Sequence, residues 1–243
     1  MLHISIHAEE LWRIGGMAVT NSLLLAVMAT LSIIAGSAIL MRKLAVVPGV
    51  LQNSIEAVFE GALSLMDEVL GERTKSEKYL PLVLTIFLFV LASNWLGLFP
   101  GIGSFIVRHG NESIPLLRSP SADLNFTLAL AIISVIATNA IGIGTLGAVR
   151  HAKKFVNVNG FVDFFVGILE LISEFVRIAS FSFRLFGNIF AGEVLLIVAQ
   201  FFVPYILPVP FILMEIFFGL IQAFIFAMLT LVFISIAIDE HEH

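Results

Sequence analysis

Five stretches of this chain are each apolar and long enough to cross a bilayer, and that fact leaves little choice of fold. The runs near 17–41, 79–100, 123–149, 160–203 and 209–238 each exceed the ~20 residues that span about 30 Å of hydrocarbon. Composition agrees: 59% of the residues are hydrophobic and 13% charged, against roughly 25% charged in soluble domains. The expected fold is an all-α integral membrane bundle of five transmembrane helices, with one in-plane amphipathic helix and a long slanted helical hairpin at the C-terminal end. No long linker or internal repeat divides the chain, so residues 1–243 read as a single membrane domain.

The first apolar run follows Glu9 and Glu10 rather than a basic segment, and it is too long for a signal-peptide core, so it is expected to stay as an anchor. There are no cysteines, which excludes thiolate chemistry, and no basic patch suits a nucleic-acid partner. The loops 42–78 and 150–159 carry Arg42, Lys43, Arg73, Lys75, Lys78, Arg150, Lys153 and Lys154, whereas the other side carries only Arg13, Arg108 and Arg118. The positive-inside rule then puts the C-terminus in the cytoplasm. Leu51, Ile55, Val58, Phe59, Ala62, Met66 and Val69 recur at helical spacing among Gln52, Asn53, Glu56, Glu60 and Asp67, predicting an interfacial helix over 50–70. Its acidic face suits either solvent or a protein neighbour. Segment 101–122 reads as a connector. The six histidines lie outside the crossings, and neither a metal site nor a cofactor site is expected.

The chemistry concentrates in the last two helices. No proline interrupts 160–203, which at 1.5 Å per residue makes a helix of ~66 Å, about twice the hydrocarbon thickness. Such a helix either slants strongly across the membrane or extends well outside it, and its apolar composition favours the slant. Pro204, Pro208 and Pro210 break it, and a second helix returns over 209–238. If the pair folds back about residue 204, Arg184 faces Gln222, Glu193 faces Glu215, and Glu170 lies near Ile238 and Asp239. Arg177, Ser180, Phe181, Gly187, Asn188 and Ala191 share the Arg184 face, while nine residues at 100° each turn Glu193 to the opposite side.

A mid-bilayer arginine costs at least roughly 2.5–3.5 kcal/mol and cannot escape by deprotonating. Two carboxyls at matched depth resist double ionisation, so Glu193 and Glu215 together make a proton relay. Glu170, with Asp239 or Glu240, offers polar access from the other side. Two entrances divided by a permanent cation block straight passage, so a moving carrier on a second protein is required. Simpler roles stand beside these: Arg177 can pair with Glu174, Asp123 can cap the helix it begins, and Gln222 or Asn188 can bond between helices.

The run Ser180-Phe181-Ser182-Phe183-Arg184-Leu185-Phe186-Gly187-Asn188-Ile189-Phe190-Ala191-Gly192-Glu193, with Gln222-Ala223-Phe224-Ile225-Phe226 after it, closely resembles subunit a of F-type ATP synthases. Asn94-Trp95-Leu96-Gly97-Leu98-Phe99-Pro100 and Ala122-Asp123-Leu124-Asn125 are also similar to that family. The resemblance implies a proton-translocating stator channel in a bacterial inner membrane, without catalysis of its own. It implies two offset half-channels, a rotating ring of c subunits and a b-type peripheral stalk as partners within the F-type ATP synthase. Arg184 then corresponds to the essential arginine that meets the ring carboxylate, with Arg177, Ser180, Gly187 and Ala191 on the ring side. Asn188, Glu193 and Gln222 match channel residues, Glu170 matches the cytoplasmic half-channel, and Asp123 lies near the opposite entrance. Glu215 stands where many bacterial relatives carry histidine. A stand-alone secondary transporter would show repeated halves and broken midplane helices, and an intramembrane hydrolase would need a nucleophile with a base or metal; neither pattern occurs.

Overall fold

The computed structural model describes residues 8–42, 45–99, 105–109, 112–147 and 161–239. Six helices dominate them: α1 (Asn21–Arg42), α2 (Val50–Leu70), α3 (Arg73–Gly97), α4 (Leu124–Leu146), α5 (Phe161–Phe202) and α6 (Pro208–Asp239). All but α2 carry a stretch long and apolar enough to cross a membrane, so the chain is an all-α, multi-pass integral membrane protein. The basic loop 150–159 and the tail beyond Asp239 lie outside the described residues.

Helix α6 is apolar on all sides, the pattern of a helix surrounded by others, and it is the most buried of the five spans. One core joins Ile86 and Val90 of α3, Ala131 of α4, Phe181, Leu185 and Ile189 of α5, and Ala223 and Phe226 of α6. A second, toward the other end, joins Met66 and Leu70 of α2, Tyr79 and Val83 of α3, and Leu231, Ile234 and Ile238 of α6. Polar pairs tie the helices between these layers: Thr127 with Ser182 at 3.1 Å and Ser134 with Thr230 at 2.9 Å. In a bilayer such bonds average about 0.6 kcal/mol each, so they set register more than they set stability.

The return of the chain between α5 and α6 follows from its prolines. Pro208 and Pro210 fall in the first turn of α6, where a missing N–H costs nothing because no carbonyl of the helix precedes it. The antiparallel register is that expected from a fold-back about residue 204. Phe181 stacks on Phe226 with ring centroids 4.8 Å apart, and Gly192 abuts Glu215, two pairs placed evenly about that centre.

Helix α2 covers the residues that the amphipathic pattern marks as helical, and it is joined to α3 by more than a turn. The Arg73 guanidinium donates to Glu60 at 2.8 Å, Asp67 at 3.0 Å and Glu77 at 3.4 Å. Part of the acidic face of α2 is thus neutralised within the chain itself. The Ser76 hydroxyl and the Arg73 guanidinium hold the Asp67 carboxyl below its ordinary range.

Two regions depart from the sequence expectation. Residues Glu10–Ile14 (β1) and Met17–Thr20 (β2) form an antiparallel hairpin ahead of α1. The stretch 101–122, expected as a bare connector, holds a second hairpin of Ile106–His109 (β3) and Glu112–Pro115 (β4) and a buried 3₁₀ turn, Pro120–Ala122. Asn21 staples the two regions: its side chain accepts from the Glu9 N–H at 3.2 Å and donates to the Pro115 carbonyl at 3.2 Å.

Candidate ion path around Arg184

Helix α5 runs unbroken for 42 residues, ~63 Å at 1.5 Å per residue, and Arg184 lies near its middle. Its side chain is half-buried and Nη2 donates to the Ser180 hydroxyl, one turn earlier, at 3.1 Å. Among the described residues no carboxylate pairs with Arg184. Ser180, Gly187, Asn188 and Ala191 are exposed on the same face, a strip of small and polar side chains flanking the cation. Beside it opens a cleft of about 350 Å³, lined by Ser173, Arg177, Ser180, Arg184 and Phe233 among others, which extends toward the Glu170 end of α5.

Phe181 does not share that exposed strip, contrary to the helical-wheel expectation. It is buried, packed between Phe226 and Phe233, because its angular offset from Arg184 brings it to the α6 side. Arg177 is likewise drawn inward. It bonds Glu174 at 3.0 Å with its side chain 14% exposed, and its guanidinium lies 3.7 Å from the centre of the Phe233 ring, the face-on approach in which a ring quadrupole attracts a cation. Glu174 also accepts from Asn139 at 3.4 Å. Arg177 thus has a carboxylate and a ring of its own.

The two carboxylates expected at matched depth do come together. Glu215, 3% exposed, lies against α5 at Gly192, where an added Cβ would stand 2.5 Å from its Oε1. Only glycine lets the carboxyl approach the helix this closely. Its Oε2 is buried without a hydrogen-bond partner among the described residues. Glu193 follows in the chain, about 13 Å along α5 from Arg184, and its partner is one that sequence reasoning missed. Arg118, 8% exposed, donates from Nη2 at 3.1 Å and Nε at 3.3 Å to the same oxygen, Oε2 of Glu193. The one signal available was an arginine standing alone in an otherwise uncharged run, 114–122.

The segment carrying Arg118 is seated firmly. Ser119 packs on Gly97 so closely that a Cβ there would stand 2.6 Å from the Ser119 Cβ. Downstream, Asp123 caps α4 by accepting from the Asn125 N–H at 3.0 Å and accepts from the Ser22 hydroxyl of α1 at 2.9 Å. The capping role is real, and it is buried. The end of α3 is pinned to α6 by Asn94, donating to the Gly219 carbonyl at 3.0 Å, and by Trp95, donating to the Ile216 carbonyl at 3.1 Å.

Gln222 is buried on α6 near the depth of Arg184, yet no hydrogen bond joins the two among the described residues. Glu170 is half-buried on α5; its expected approach to Asp239 or Glu240 falls outside the described residues.

Comparison with known proteins places this arrangement. The family model described as ATP synthase A chain matches residues 21–235. A protein of Campylobacter concisus named ATP synthase subunit a is 37% identical over 203 residues, covering 83% of each chain. One of Mycobacterium bovis with the same name is 36% identical over 249 residues, covering all of this chain and 96% of the relative. One of Sulfurimonas denitrificans is 36% identical over 84% of each chain. The match runs from Asn21 to Ser235, and the chain belongs to the ATP synthase subunit a family.

Proposed function

We propose that this chain is the stationary, proton-translocating subunit of the ATP synthase membrane sector, and that it does no phosphoryl chemistry itself. The observation that carries the reading is Arg184: a permanent cation midway along a membrane helix, on an exposed strip, with a serine and no carboxylate as its partner among the described residues. A charge so placed calls for an anion from outside the chain. A ring of c subunits presenting a membrane carboxylate supplies it, with Ser180, Gly187, Asn188 and Ala191 giving the clearance for a helix to slide past. Arg177, held by Glu174 and Phe233, serves at the margin of this face.

Protons enter on one side past Glu193, Glu215 and Asp123 and leave on the other by the cleft toward Glu170, with Gln222 and Asn188 as polar lining. Arg184 between the two prevents direct passage, so each proton must ride the ring. The C-terminus is cytoplasmic in a bacterial inner membrane, and a b-type stalk holds the subunit still. At 100 mV each elementary charge moved supplies about 2.3 kcal/mol.

The test is Arg184→Ala in the whole synthase reconstituted in liposomes. ATP synthesis driven by an imposed gradient is expected to vanish while passive proton leak persists or rises. Synthesis at the wild-type rate in that variant removes the mechanism.

A further inference from the structure

The geometry points to Arg118 as a positioning residue of the ion path, one that acts through Glu193 and thereby leaves Glu215 as the carboxyl that exchanges the proton. This rests on the reading of Glu193 and Glu215 as part of that path.

Three observations converge. Arg118 and Glu193 are separated by 75 residues in sequence, and Arg118 is almost wholly enclosed, so the contact is set by the tertiary fold and is not an incidental surface pair. Two of the three guanidinium nitrogens, Nε and Nη2, donate to one oxygen, Oε2 of Glu193, which anchors that end of the carboxylate. Glu215, one position along at Gly192, has a buried Oε2 with no hydrogen-bond partner among the described residues and no cation in an ion pair. Among the described residues, Arg118 from the loop, Glu193 from α5 and Glu215 from α6 are charged or titratable groups gathered here.

Glu193 is 32% exposed and has its counter-charge in place, so it has little reason to give up or take a proton, whereas the buried carboxyl beside it, without a counter-charge, has both the need and the freedom. In the proposed step the proton arrives on a Glu215 oxygen from the entrance and leaves from it to the next acceptor toward the ring. Glu193 keeps its charge and its orientation throughout. The loop ahead of α4 thus decides which of two adjacent carboxyls is the relay.

The experiment uses the complete synthase in liposomes and reads ATP-driven proton uptake for five variants: Arg118→Met, Arg118→Lys, Glu193→Gln, Glu215→Gln, and Arg118→Met with Glu193→Gln. Loss of the enclosed guanidinium leaves Glu193 without its counter-charge and free to turn, so Arg118→Met is expected to slow uptake at least about tenfold. Arg118→Lys keeps the charge and is expected to recover most of the rate. The double variant removes both charges and is expected to match Glu193→Gln within about twofold, the non-additivity of residues that act as a unit. Should Arg118→Met fail to assemble, the lysine and double variants still decide. Equal loss in Met and Lys variants, or a double variant far below Glu193→Gln, would mean that Arg118 only braces the loop, and the inference falls. Wild-type uptake in Glu193→Gln and Glu215→Gln alike would instead overturn the ion-path reading beneath it.

Discussion

Single positions carry much of what this membrane site can do, and Asp123 shows how two roles can be separated. As a cap it satisfies the Asn125 N–H, and as a charge it lies beside Ser22 in a buried setting. Asparagine caps about as well as aspartate, whereas alanine costs typically ~1 kcal/mol. Asp123→Asn is therefore expected to leave the melting temperature of the assembled complex unchanged and Asp123→Ala to lower it. Any loss of proton uptake in the Asn variant alone then measures the charge. Gly192→Ala is expected to assemble, since the far end of a flexible side chain is what it meets, but to push Glu215 aside. Proton uptake should fall while Phe181–Phe226 packing, read by thermal stability, changes little.

The helices differ in how plainly they are written. Five apolar runs and the fold-back about residue 204 are legible because hydrocarbon thickness and proline chemistry constrain them directly. The two hairpins were not legible, since strands of four or five residues leave too short a period to stand out. Arg118 was hidden for another reason: its partner is distant in sequence, and no local pattern reports a tertiary ion pair. At the α2–α3 elbow the pattern showed an acidic face but not that Arg73 answers it. Because the Asp67 carboxyl titrates below its ordinary value in the folded chain, its contribution is present above the unfolded value and is lost as pH falls through the lower, folded one. Distances between spin labels on α2 and α3 should hold steady through mildly acidic pH and lengthen only below the usual carboxylate range. Arg73→Ala should lengthen them already at neutral pH.

For the molecule as a whole, the candidate site follows one helix: Glu170, Arg184 and Glu193 succeed one another on α5 over about 35 Å, with Glu215 of α6 beside the last of them. Water-soluble thiol reagents should reach cysteines substituted at Ser173 from one face of the membrane and at Glu215 from the other, with Arg184 between them. Labelling of both from the same face would contradict two separate entrances. The bond from Arg118 to Glu193 has a further consequence in time. A chain is made from its N-terminus, so Arg118 emerges from the ribosome 75 residues before Glu193. Until α5 has been made, the bond between them cannot form. The seating of the loop ahead of α4 on α5 is accordingly among the later contacts of the fold to close.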